Sequence, residues 1–402
     1  MRVAIRGLNF TKSLTIDLHS TKHVQLPVSA TLRNTDLHNV TVLVEASDDI
    51  TVYGVSNGHP ASMDTFLAIP VNALGTEYRV VGAYSRPRKL YKSQFVISGV
   101  VDNTTVHIVH RGTLEYKGKS NRPRDQLTIT INRLESIQFQ SDDDLTTTWI
   151  RSTEPISVLS GSRCGFIKTE DSSKRSCEVM MIHLVPVAYW GRRFTVSPLS
   201  NSAGITTNVR VISNTDENNF IFGDQSRGSS IYYTSVFYDF PLSSNLPVSL
   251  VSFHPVMVVL YTSYTSVTCR NLGEKCKGDA YFGHTLTQVP PLGLHYNMVY
   301  FTTEGTSPRL TFSVNVVTRC EHLHSLYLND LPLVDINGWL HGFEMCALNL
   351  EISHSNYRLW STDTDGLFAA HLIGVSRGSA VSVPVGMRFG PPEAVHNTGK
   401  PL

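Results

Sequence analysis

Six cysteines, sixteen histidines, two G-x-S-x-G runs and three acidic clusters are the residues of this 402-residue chain that could do chemistry. The serines come first. GVSNG spans Gly54 to Gly58 and GVSRG spans Gly374 to Gly378. A nucleophile elbow needs a strand-to-helix turn, then an acid and a histidine further along the chain. Only His396 follows Ser376, and it lies in a Pro-rich tail. Both runs also fall at matching points of an internal repeat, as does GSRCG around Cys164, so they read as copied turns. No catalytic residue is assigned, and the chain reads as a non-enzyme.

Metal chemistry fares no better. His107 and His110 are three apart, which on a strand puts them on opposite faces. His322 and His324 would share a strand face but have no adjacent third ligand. Asp48–Asp49, Asp142–Asp143–Asp144 and the DTDG run at Asp363 to Gly366 lack the six or so oxygens that calcium takes, and read as solvated strand-entry turns. No metal and no cofactor is expected. The cysteines fall into three local pairs, Cys164 with Cys177, Cys269 with Cys276 and Cys320 with Cys346. An even count in local pairs suits disulfides of an oxidising compartment. Free buried thiols and metal ligands are the alternatives, the latter without C-x-x-C knuckles.

Two basic runs could meet an anionic ligand: Arg86, Arg88, Lys89 and Lys92, then Lys117, Lys119, Arg122 and Arg124. Neighbouring loops would make them a positive edge suited to sulfated or sialylated glycans; isolated solubilising charges are the plainer reading. Sequons at Asn9, Asn39 and Asn103 permit glycosylation. The net charge of +1 gives no reason to expect nucleic acid. No apolar run reaches the ~18–20 residues that span a bilayer.

What must position these residues is strand. Charged residues are 17% of the chain, below the usual quarter, and Thr, Ser and Val recur with a period of two between turn residues. Less than about a tenth helix and more than a third strand is expected, against a usual ~30–35% helix. A signature also recurs: an apolar run, Pro, a large apolar residue before Gly, and an aromatic three residues on. It contains Pro70, Leu74, Gly75 and Tyr78, then Pro186, Trp190, Gly191 and Phe194, then Pro290, Leu292, Gly293 and Tyr296. A closing strand follows each, at Ile156, Val256 and Leu367, with Ile50 ending a unit that has no opening. The spacing suits tandem antiparallel β-sandwich-like modules, about three repeats plus a partial first one; a β-propeller is the alternative. The boundaries are 1–58 for the incomplete module, 59–166, 167–280 and 281–385 for the full ones, and 386–402 for a Pro/Gly-rich tail. The partial first unit and the lack of a leader suggest that the chain starts inside a longer protein.

The runs IPVNALGTEYRVV and PISVLSGSRCG…CEVMMIHLVPVAYWG resemble the N-terminal domain of the IgG Fc-binding protein family, including its invertebrate members. The resemblance extends over about residues 40–390, and Cys164 and Cys177 match the family's Cys pair. It implies a secreted protein of mucus or the cell surface, acting in adhesion or innate defence through a protein or glycan partner such as a mucin. It does not imply that immunoglobulin is the ligand. The family's Cys-rich von Willebrand D-type repeats are lacking. A structural spacer of a matrix or mucus protein is the competing function.

Overall fold

The computed structural model describes residues 1–59, 62–82, 92–165, 178–199, 205–215, 218–224, 228–234, 236–242, 245–264, 283–304, 310–342, 344–376 and 379–390. Among them all regular structure is antiparallel strand and short 3₁₀ turns. The chain divides into two compact units. The first is Met1–Tyr53, Ala68–Phe166 and Val179–Ala188; the second is Gly54–Leu67, Ile167–Glu178 and Tyr189–Leu402.

The first unit is built around seven strands: β1 Gly75–Arg79, β2 Ser93–Gly99, β3 Thr104–Val109, β4 Gln126–Ile131, β5 Ser136–Ser141, β6 Trp149–Gly165 and β7 Glu178–His183. Alternate residues of β2, β3 and β4 are buried, as a pleated strand with one core face requires. The order is β4-β3-β6-β2-β5, with β1 and β7 also on β6. The 17-residue β6 therefore changes partners along its length. Its first residues pair with β1 and β3, and its later ones with β2 and β7. The changeover coincides with Pro155, which has no N–H for the ladder, and the register shifts between Arg151 and Ile156. Phe95, Ile97, Phe139, Ile150 and Val158 are fully buried. A small sheet of Arg2–Ile5, Phe10–Ser13 and Leu43–Glu45 completes the unit.

The second unit repeats the plan. Strands β8 Gly191–Val196, β9 Ile205–Ser213, β10 Asn218–Asp224, β11 Gly228–Thr234, β12 Phe237–Pro241, β13 Val248–Tyr264 and β14 Gly283–Val289 have the order β11-β10-β13-β9-β12, with β8 and β14 on β13. β13 again has 17 residues, with Pro255 at its changeover. Then come β15 Met298–Thr302, β16 Thr311–Arg319, β17 Leu326–Leu328, β18 Leu331–Pro332, β19 Met345–Ile352, β20 Asn356–Ser361, β21 Phe368–Ser376 and β22 Ser379–Pro384. Here the long strand is cut into β20 and β21, giving two separate sheets. One is β15-β20-β17-β18. The other is β19-β16-β21-β22, with Leu340–His341 on the edge of β19. The hairpin of Tyr53–His59 and Ser62–Leu67, from Gly54 onward, belongs to this unit, its second strand beside β22.

The repeat is real, but its third copy is set differently from the sequence reading. Gly75 opens β1 opposite Ile156, and Gly191 opens β8 opposite Val256. Tyr78 and Phe194 then face Ile150 and Leu250 at equivalent positions. Gly293 instead lies inside the 3₁₀ turn Leu292–Leu294, whose N-cap is Pro291. The residue five beyond that proline is Tyr296, and it bridges Phe368, not Leu367. Tyr296 thus stands where Gly75 and Gly191 stand, just before β15 begins, and not at the place of Tyr78 and Phe194. In the first two copies the position is closed to any side chain for a steric reason. A Cβ on Gly75 would lie 2.7 Å from the Pro186 ring, and one on Gly191 2.3 Å from Pro291. Ile50 is also displaced: it is partly exposed and precedes the strand Tyr53–His59.

Candidate functional site

Ser56 and Ser376 both lie within antiparallel strands, so neither sits on a strand-to-helix elbow. His107 is on β3, its Nδ1 3.0 Å from Thr128 Oγ1; His110 is buried just past the strand end, its Nδ1 2.6 Å from Gly112 O. His322 and His324 are on the 3₁₀ turn Cys320–Ser325 and not on a strand, so the shared-face argument fails there. Asp363 binds His322 Nδ1 at 2.7 Å and caps its own turn through the Asp365 N–H. Asp142 pairs with Lys92 at 3.8 Å, Asp143 accepts from the Thr113 N–H and Asp144 from the Thr146 N–H. A small cavity of about 10 Å³ lies beside Asn315 and His371, about the size of one water.

Cys320 and Cys346 are joined by a disulfide with Cα atoms 4.9 Å apart, and Cys164 is disulfide-bonded. Cys177, Cys269 and Cys276 lie outside the described residues, as do Arg86, Arg88 and Lys89. Lys117, Lys119, Arg122 and Arg124 are exposed on and beside the hairpin Leu114–Tyr116/Lys119–Asn121. Asn9, Asn39 and Asn103 are exposed too.

The structure brings together something else. In the first unit the outward face of β1, β6 and β3 carries a cationic aromatic cluster. Arg79 pairs with Trp149 across the strands, and Glu77 with Arg151. Both guanidinium carbons stand over the indole, at 5.3 Å and 5.6 Å from its centroid. Glu77 fixes the ring by accepting the indole N–H at 2.8 Å. On the equivalent face of the second copy Val251 lies between Arg193 and Ile221, and Phe253 of the same strand is 58% exposed.

The β15-β20-β17-β18 sheet has the fullest version. One register row runs Met298, Trp360, Tyr327, Pro332, and the next sets Tyr300 beside Arg358. Tyr327 and Trp360 stack with centroids 4.9 Å apart, and the Arg358 guanidinium lies 4.5 Å from the Trp360 centroid. Asn329, at φ 54° in the turn after β17, holds the cluster in place. Its carbonyl accepts the Trp360 indole N–H, its side-chain oxygen accepts the Arg358 N–H, and its own N–H donates to the Arg358 carbonyl. Among the described residues neither Arg151 nor Arg358 has a carboxylate partner. Met298, Leu331 and Val334 are about half-exposed around this row. The sequence signal was W-x-R at 149–151 and R-x-W at 358–360, which on a strand puts both side chains on one face.

A family model described as IgGFc binding protein matches residues 64–374. The chain belongs to that family. The human IgGFc-binding protein is 25% identical over 195 residues, which are 48% of this chain and 4% of that one, so the chain spans a small part of that relative. The FN1–FN3 domains of chicken CNTN1 align over 77% of this chain and all of theirs, at 6% identity and a TM-score of 0.13, a likeness that carries no weight. The family match takes in the Trp149 and Trp360 clusters alike. No helix among the described residues is long and apolar enough to cross a membrane, which says nothing of β-barrels.

Proposed function

We propose that this chain is a non-enzymatic recognition protein of extracellular type, which holds protein partners against the Arg–aromatic faces of its sheets. The observation that carries the reading is the Tyr327–Trp360–Arg358 stack. Trp, Tyr and Arg are the residues on which binding energy concentrates at protein interfaces. This stack is fixed in advance by Asn329, so docking orders few side chains. An acceptor on the partner would complete a guanidinium already seated on a ring, worth roughly 0.5–1 kcal/mol for the exposed cation–π contact alone. Family membership supports a protein partner, and the Fc fragment after which the human relative is named is the first to try. Secretion into mucus or haemolymph and a role in innate defence fit this reading. Of the modules at 59–166, 167–280 and 281–385, the first and the third would each present one such face. The test is binding of the whole chain to immobilised immunoglobulin Fc. Trp360→Ala and Trp149→Ala should each weaken it about tenfold or more, the loss of one hot-spot side chain. Unchanged affinity in both would refute the reading.

A second reading rests on Lys117, Lys119, Arg122 and Arg124, four exposed cations at one hairpin. It makes that edge a site for sulfated or sialylated glycans. Its binding to a heparin oligosaccharide would fall steeply with salt.

A further inference from the structure

We propose that Cys320–Cys346 is an exchangeable disulfide, at which an external thiol forms a mixed disulfide with Cys320 while His341 supplies the proton that the departing Cys346 takes up. The geometry comes from strand pairing. His341 sits opposite Cys346 across the edge of β19, and its Nδ1 is 3.1 Å from the Cys346 sulfur. Both sulfurs and one imidazole nitrogen lie within 4.8 Å of one another. The surroundings of the two sulfurs differ. Cys346 is fully buried, Cys320 is half-buried at the start of a 3₁₀ turn, and His341 is exposed. An incoming thiolate therefore reaches Cys320, and the imidazole exchanges its proton with solvent.

The step balances without an added oxidant. The thiolate sulfur bonds to Cys320 Sγ, the Cys320–Cys346 bond breaks, and its electron pair goes to Cys346 Sγ. That sulfur then takes the proton from the His341 imidazolium. The products are a mixed disulfide at Cys320 and a thiol at Cys346, and the reverse step restores the starting bond. A leaving thiolate with a lowered pKa departs faster, and a neighbouring imidazolium lowers thiol pKa values by one to several units. With a Brønsted slope of about 0.5, a two-unit effect gives roughly tenfold in rate. The three donors cannot hold a metal while the sulfurs are bonded to each other, so exchange precedes any such role.

The experiment uses the whole chain and glutathione as the probe. Mixtures are quenched with N-ethylmaleimide and read by peptide-resolved mass spectrometry, which separates this disulfide from the others. Glutathione should appear on Cys320 and maleimide on Cys346. Per glutathione thiolate, His341→Asn and His341→Ala, checked for an unchanged circular dichroism spectrum, should react roughly tenfold more slowly than the wild-type chain. Added free imidazole should restore the alanine variant's rate, which a merely structural histidine would not allow. Glutathione on Cys346, or a wild-type rate in the asparagine variant, would overturn the proposal.

Discussion

Burial decides the state of several side chains. His183 accepts the Ile69 N–H at Nδ1, and its burial pushes its pKa down to about 4; burial does the same to His295 and His371, and takes His284 to about 3. All four are neutral in the fold. In the unfolded chain each takes up a proton as the pH falls through its ordinary value near 6.5. The unfolded state then binds more protons, so stability is complete above about pH 6.5 and is lost as the pH falls toward 4, at about 1.4 kcal/mol per histidine per unit. Urea midpoints should fall between pH ~7.5 and ~5, and His183→Gln should flatten the slope; a pH-independent midpoint would contradict this. Arg210 is a buried cation. It is 1% exposed and binds Asp239 with two nitrogens at 2.6 Å and 2.7 Å. Arg210→Ala strands the carboxylate and should cost about 3–5 kcal/mol in denaturant unfolding, whereas replacing both by Met and Leu should recover most of it.

At the scale of elements, the close approaches explain which glycines matter. Gly191 has the Pro291 ring where a Cβ would stand, and Gly118, at φ 71°, has open space there. Gly191→Ala should destabilise by about 1–3 kcal/mol through overpacking, and Gly75→Ala by a similar but smaller amount. Thermal midpoints of the two variants check this. Most strands were legible in the sequence, because one buried face imposes a period of two, as in the alternation along β2, β3 and β4. The changeover of β6 and β13 was not. It depends on Pro155 and Pro255 interrupting a ladder where the strand changes partners, and a proline in a run looks like an ordinary strand end. Gly293 misled for a related reason. The L-G pair is a local likeness, whereas the constraint on Gly75 and Gly191 comes from prolines far along the chain, at Pro186 and Pro291.

Across the whole molecule, packing and repeat count part company. One apolar cluster joins Phe194, Val211, Phe220, Leu250 and Val289 to Ile373 and Ala380 of the third strand set. The second and third copies share a core and should unfold together. Calorimetry is expected to resolve at most two transitions, one per compact unit, and three separate ones would contradict the shared core. The proposed binding faces were only half legible for a complementary reason: W-x-R and R-x-W put Trp and Arg on one strand face without saying which face is outward. Only the strand register shows Trp149 and Trp360 facing outward, each stacked with arginine. The direct test is hydroxyl-radical footprinting of the whole chain with and without a bound protein partner, Fc first. Met298, Tyr327 and Trp360 carry oxidisable side chains in one row. The account predicts that their oxidation falls on binding while that of Tyr116, on the basic hairpin, does not. Protection of Tyr116 with Met298, Tyr327 and Trp360 unchanged would contradict it.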